Sequence, residues 1–284
     1  GIHSSPSHTI LDAQNKDRVV HMNTAKFLKI FPHEKSLIGM IHVQALPGTP
    51  QNHLSVSETA IKAVQEAKVL TAYGMQAIML ENMHDVPYLN REVGPEIVSA
   101  LTRICSQVRE ATDLPMGIQI LAGANQPALA VAQAAELQFI RAEGFVFGHM
   151  ADEGLLQSDA GDLLRFRKQI GADDIQIFTD IKKKHSSHAM TSDVSLEDTV
   201  EAAEFFLSDG VVITGTHTGK PVNQDELKHV YTSAHLPVLV GSGVTPTGLP
   251  QIMEVADAFI VGSYFKQDGN WKNDPDPQRV EALA

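Results

Sequence analysis

Pro237-Val-Leu-Val-Gly-Ser-Gly-Val-Thr-Pro246 and its echo Ala258-Phe-Ile-Val-Gly-Ser-Tyr264 decide the fold. Each is a short β-branched apolar run that stops at a Gly-Ser pair, after which the chain turns toward a helix or helical turn. Glycine lets the main chain approach an anion closely, and free N–H groups of such corners point at it. One Gly-Ser pair is more simply a tight turn. Two pairs, both after late strands and about one βα unit apart, favour a single phosphate cup, of the kind formed by the loops after the last two strands of a (β/α)8 barrel. The phosphate-binding residues expected are Gly241, Ser242, Gly243, Gly262 and Ser263.

Upstream of these corners one unit recurs. Apolar runs at 37–43, 75–80, 115–121, 139–143, 175–181 and 211–214 read as strands one to six. Amphipathic or mixed stretches at 57–73, 95–111, 126–135, 160–170, 195–207 and 224–231 read as the helices between them, with a closing helix at 276–283. Strands that alternate with helices imply parallel βαβ units, and eight rounds imply a closed barrel rather than an open sheet. An open doubly wound sheet would want its Gly-rich loop after the first strand, where this chain has Ala45-Leu-Pro-Gly48. The expectation is a single (β/α)8 TIM barrel over residues 25–284, with a short helix at 25–31 covering its N-terminal end. Residues 1–24 read as a disordered tail, a leader or an expression remnant, and Met22 would serve as a start.

The chain has 284 residues, a hydrophobic fraction of 43% and a formal net charge of −12. That suits one barrel of about 250 residues plus extensions. So acidic a protein is not expected to bind nucleic acid, which needs a basic surface. Cys105 is the one cysteine, so no disulfide framework exists and a reducing compartment is expected. No apolar run approaches the ~20 residues of a membrane span. A cytoplasmic location is expected; a mitochondrial address stays open, with Arg18 the only arginine ahead of the first strand. Assembly into a homo-oligomer is also expected.

Barrel active sites lie at the C-terminal ends of the strands. Sorting polar residues by that rule gives His42, Glu81, Asn82, Gln119, Arg141, Glu143, Asp180, Lys182, Lys184, His185, Thr214 and Gly215, with Thr216 beyond. A carboxylate at such a place is costly to bury unpaired, so Glu81 and Glu143 need a lysine, an arginine, a metal or a substrate. Alternation aims Asp180, Lys182 and Lys184 toward one side. A lysine there could act as general acid or base, as an electrophile or as a Schiff-base amine, or the run could be a solvated charge patch. His185 and His188, with Asp180 and Glu143, could hold a Mg-like divalent ion; zinc is disfavoured because no cysteine pair or His-Glu-x-x-His run occurs. Asp152-Glu-Gly154, in the long loop 145–157, reads either as a hinged lid or as a helix lead-in.

Ile41-His-Val-Gln-Ala-Leu-Pro-Gly-Thr-Pro50, Leu80-Glu-Asn-Met-His-Asp-Val-Pro87, Phe139-Ile-Arg-Ala-Glu143, Asp180-Ile-Lys-Lys-Lys-His185, Thr214-Gly-Thr-His-Thr-Gly219 and Gly241-Ser-Gly-Val-Thr245 together resemble the BtpA/SgcQ family. The resemblance runs from about Ser36 to the C-terminus. It implies a barrel similar to the ribulose-phosphate-binding type, which supports the cup. Its cyanobacterial members are linked to photosystem I biogenesis, and its enteric members sit among sugar-uptake genes. Val43-Gln-Ala45 departs from the more Pro-rich run usual after strand one.

These readings converge on an enzyme that acts on a phosphorylated sugar or nucleoside-like compound. Asp180, Glu143, Lys182, Lys184, His42 and Glu81 are the candidate acids, bases and electrophiles. Asn82, Gln119, Arg141, His185, Thr214 and Gly215 are the candidate substrate contacts. Glycosidic cleavage is slightly favoured over isomerisation or lysis, since carboxylates outnumber other groups. The alternatives are a non-catalytic assembly factor and a sugar-phosphate sensor.

Overall fold

The computed structural model describes residues 24–33, 35–215, 221–241 and 243–283. The readings made for residues 1–23, for Thr216 and the rest of the 216–220 loop, and for Ser242 lie outside the described residues. In chain order the elements are α1 Thr24–Ile30, β1 Ser36–His42, α2 Val56–Ala72, β2 Ala77–Glu81, α3 Pro95–Ala111, β3 Met116–Gln119, α4 Asn125–Ala134, β4 Phe139–Ala142, β5 His149–Ala151, β6 Gly154–Leu156 and α5 Ala160–Gln169. They continue with β7 Gln176–Ile181, β8 Ser186–Ser187, α6 Leu196–Phe205, β9 Gly210–Ile213, α7 Gln224–Ser233, β10 Val238–Val240, α8 Leu249–Ile252, β11 Ala258–Val261 and α9 Pro277–Leu283.

The parallel strands close in the order β1-β2-β3-β4-β7-β9-β10-β11 and back to β1. This is the TIM barrel that the repeating pattern implies. Every residue of β1, β2, β3, β4, β7, β9, β10 and β11 is buried, as strands covered on both faces by barrel contents and helices must be. Gly117 on β3 makes room for an aromatic layer: a Cβ there would lie 2.2 Å from Phe139 Cε2. Helix starts follow local chemistry. Ser55 and Glu58 form a reciprocal capping box on α2, Pro95 opens α3, and the side chains of Ser195 and Asn223 cap α6 and α7.

α1 closes the N-terminal end of the barrel, as its position in the sequence suggests. Its Phe27 ring sits 5.9 Å from Phe178, and Phe31, just beyond the helix, sits 5.7 Å from Phe139. Each buried side chain of this size contributes about 1.5–3 kcal/mol. The opposite end therefore stays available as the mouth.

One feature differs from the sequence reading. The long loop 145–157 is not structureless: β5 and β6 pair antiparallel, and β8 joins β5 to make a three-stranded sheet above strands β4 and β7. Its turn carries Asp152 and Glu153 over the mouth. After the seventh barrel strand come α8 and a 3-10 turn at Met253–Val255, the helical turn that the sequence reading expects beyond the Gly-Ser corner.

Candidate active site

The C-terminal strand ends open into a cavity of about 550 Å³. Register places its floor: His42 is level with Glu81, and Glu81 with Gln119, across three neighbouring strands. Arg141, Glu143, Asp180, Lys183 and Lys184 continue the ring from β4 and β7, and Gly241, Gly243, Gly262 and Ser263 complete it.

Most of the charges on this floor are paired. Arg141 Nε and Nη2 each lie 2.8 Å from Asp180 Oδ1. Glu143 accepts from Gln119 Nε2 at 2.7 Å through Oε1, and its Oε2 is 3.2 Å from Lys183 Nζ. Burial pushes the Glu143 carboxyl above the ordinary range, with Lys183 opposing. Its main chain is clamped too: Glu143 N–H donates to Asn125 Oδ1 at 3.2 Å, while Asn125 Nδ2 and Arg91 Nη1 donate to the Glu143 carbonyl at 2.9 and 2.8 Å.

Three groups on the floor have no ion pair among the described residues. Burial raises the Glu81 carboxyl to about 7, with Arg141 and Lys184 pulling the other way. Burial, then the repulsion of Arg141, lowers the Lys184 amine to about 8; its Nζ lies 3.5 Å from the Gly241 carbonyl. His42 is buried, its Nδ1 meets no hydrogen-bond partner among the described residues, and burial followed by Lys266 holds it well below the usual imidazole value. The His42 ring stands edge-on to Trp271, with centroids 5.8 Å apart, and Trp271 packs on His84 at 4.9 Å.

The ends of β10 and β11, at Gly241 and Gly262, lie side by side, since the strands are paired neighbours with Val240 level with Phe259. The N–H groups of Gly243, Val244, Gly262 and Ser263 donate to no carbonyl among the described residues. Gly243 has φ +64, a conformation that favours glycine. Gly241 differs from its expected part: its N–H donates to the Ile213 carbonyl at 2.9 Å and belongs to the sheet. A Cβ there would meet Val212 Cγ1 at 2.7 Å and Arg141 Nη2 at 3.0 Å, so this glycine makes room for the arginine. Beside the corners stands Arg279 of α9. It donates Nε to the Tyr264 carbonyl, stacks 4.3 Å over the Tyr264 ring and lines the cavity.

Several expected residues stand elsewhere. Lys182 does not face the mouth. The strand ends at Ile181, Lys182 takes a left-handed φ of 46°, and its Nζ donates to the Thr191 carbonyl at 2.9 Å. Alternation therefore stops one residue early and Lys183 points inward instead. Asn82 is buried away from the cavity, bridging Asp85 Oδ2 at 3.0 Å and the Leu121 N–H at 2.7 Å, so it braces loops. Thr214 and Gly215 follow β9 but do not line the cavity, whereas His185 does. Of the residues expected to hold a divalent ion, Asp180 pairs with Arg141 and Glu143 with Lys183. Among the described residues no three His, Cys, Asp or Glu side chains converge as metal ligands.

The sequence reading missed Lys183, Tyr88, Trp271 and Arg279, which line the cavity together with Asp152 and Glu153 of the expected lid. Trp271 and Arg279 had one signal, their place after the eighth strand, in the region that builds the phosphate site of many such barrels.

The model of the BtpA family matches residues 33–284. A Caenorhabditis elegans protein, uncharacterised and named as mitochondrial, is 47% identical over 86% of this chain and 90% of its own length. The photosystem I biogenesis protein BtpA of Synechocystis is 32% identical over 89% of this chain and 88% of its own. Among solved structures, orotidine 5'-phosphate decarboxylase from Pyrococcus horikoshii superposes with a TM-score of 0.54 at 14% identity, over 87% of this chain and 96% of that one, a likeness of fold alone.

Proposed function

The chain belongs to the BtpA family, and on that premise we propose that it is an enzyme acting on a phosphorylated sugar or nucleotide-like small molecule by proton transfer at the barrel mouth. The phosphate rests on the amides of Gly243, Val244, Gly262 and Ser263, with Arg279 as its side-chain cation. The reacting carbon then lies over His42, Glu81 and Lys184. The name of the decarboxylase of like fold supports a phosphorylated ligand, as an analogy of fold.

One observation carries the reading: Glu81 and Lys184 share the cavity without ion-pair partners, at about 7 and about 8. An acid and a base poised near neutral pH exchange protons readily with substrate. This shifts the preferred chemistry. Glycosidic cleavage uses two free carboxyl groups flanking the bond, and here Asp180 and Glu143 are neutralised by Arg141 and Lys183. A carboxyl and an amine suit proton movement next to a carbonyl, as in isomerisation or lysis.

The test is a thermal-shift and Trp271-fluorescence titration with orthophosphate, ribose 5-phosphate and AMP, against ribose. Ligand at a hundredfold its Kd stabilises by about 2.7 kcal/mol, a shift of several degrees. Shifts from the phosphorylated compounds and not from ribose support the reading; no shift from any at millimolar concentration defeats it. A scaffold, as the cyanobacterial relative's name suggests for that protein, would show no ligand response and would tolerate Glu81→Gln. Among the described residues no helix is long and apolar enough to cross a membrane. The nematode relative's name keeps a mitochondrial location open beside the cytoplasmic one.

A further inference from the structure

We infer that Lys184 is a covalent catalyst whose amine forms an imine with the carbonyl carbon of an open-chain aldose or ketose phosphate. This rests on the phosphorylated-ligand reading and adds two things to it: the carbonyl form of the substrate and the covalent step.

The three cations of the floor are held in different ways. Arg141 is locked on Asp180 and Lys183 on Glu143. Lys184 alone has no carboxylate oxygen within 4.0 Å among the described residues, and its hydrogen bond is a long one, 3.5 Å, to the Gly241 carbonyl. A carbonyl oxygen orients an ammonium but neither neutralises it nor takes its proton. The Arg141 guanidinium works against a second positive charge, and burial works with it. Near neutral pH an amine lowered in this way is neutral far more often than an ordinary lysine. A neutral amine is the nucleophile that carbonyl chemistry needs.

Position adds a second line. Gly241 lies two residues ahead of Gly243, so the lysine hangs over the start of the phosphate corner. A ligand anchored on the amides of Gly243 and Ser263 holds its carbon chain beside that amine. Glu81, in the same cavity and itself unpaired, completes the proton circuit.

The step balances without an oxidant or reductant. The Lys184 nitrogen bonds to the carbonyl carbon as the carbonyl oxygen takes the Glu81 proton. The Glu81 carboxylate removes a proton from the new N–H2 centre, leaving a neutral carbinolamine. The hydroxyl then takes that proton back and departs as water while the nitrogen lone pair closes the C=N bond. An iminium and a Glu81 carboxylate remain, the carboxylate placed to accept an α-proton.

The test is borohydride trapping on the full chain. Glyceraldehyde 3-phosphate, dihydroxyacetone phosphate and ribose 5-phosphate are incubated with the protein at pH 7.5, sodium borohydride is added, and the product is read by intact mass and peptide mapping. The expected result is one adduct per chain on Lys184 with at least one of the three. Orthophosphate suppresses it, Lys184→Met reduces it at least tenfold, and Lys182→Met, whose amine turns away from the mouth to the Thr191 carbonyl, retains it. Lys184→Arg, which keeps the charge, serves as a second variant should Lys184→Met lose its fold, and must also lose the adduct. No adduct, or equal labelling of wild type and Lys184→Met, overturns the inference. The same three compounds are run in the thermal-shift assay: a shift without trapping refutes only the imine, and no shift refutes the phosphate reading beneath it.

Discussion

Replacing Glu81 with glutamine is expected to stabilise the protein above neutral pH while it removes the chemistry. Glu81 is buried, and its carboxyl moves from an ordinary 4.5 to about 7 on folding. Between those values the folded chain holds a proton that the unfolded chain has released, so stability falls as pH rises through the window. The stabilisation is full below pH 4.5 and lost above about 7. At ~1.4 kcal/mol per pH unit the whole window corresponds to about 3 kcal/mol, and water at the open mouth screens part of it, leaving about 2 kcal/mol. Glutamine has the shape of the protonated acid and no titration. Wild type and Glu81→Gln should therefore unfold together at pH 4, whereas at pH 8 the variant should melt about 4–8 °C higher. Thermal and urea unfolding followed by far-UV circular dichroism at the two pH values measure this, and other titrating groups cancel between the two proteins. A variant equally displaced at both pH values, or less stable at pH 8, would show that Glu81 is not an acid held protonated by its surroundings.

Arg141→Met leaves Asp180 buried without its partner and should cost about 3–5 kcal/mol in urea unfolding, with a large part recovered by adding Asp180→Asn; no recovery would refute the pairing as the cause. Arg279→Gln removes a charge-assisted contact of about 1.5–3 kcal/mol, so the Kd for orthophosphate or ribose 5-phosphate by Trp271 fluorescence should rise tenfold or more; an unchanged Kd takes Arg279 out of the cup. Gly117→Ala forces a methyl against Phe139 Cε2, 2.2 Å from the new carbon, and should cost about 1–3 kcal/mol by the same unfolding assay. At the end of α6, Phe205 is 80% exposed and Leu207 68%, the kind of apolar surface a homo-oligomer buries. Phe205→Asp with Leu207→Asp should lower the molar mass in light scattering, and an unchanged mass would refute this patch as the interface.

The barrel was legible because its signal is local and repeated: apolar strands, helical periodicities and glycine stops recur along the chain. The same locality limited the reading of the site. His42, Glu81, Gln119, Arg141 and Asp180 lie on or end strands, where alternation holds, and all line the cavity. Lys182 lies one residue past the end of β7, where a left-handed turn breaks alternation and hands the inward place to Lys183. The partition of charge was not legible at all. Arg141 meets Asp180 across 39 residues, and which carboxylate each cation takes follows from barrel closure rather than from spacing. That partition bears on chemistry. Asp180 and Glu143 stand out in the sequence as the leading acids, yet each is held by a cation. Glu81, which looked like one more strand-end acid awaiting a salt bridge, keeps its proton because burial outweighs the pull of Arg141 and Lys184, neither of which pairs with it. An acid useful near neutral pH is one the fold has declined to pair, so the functional candidate is found by subtracting the ion pairs from the list of acids, and only the closed barrel supplies those pairs.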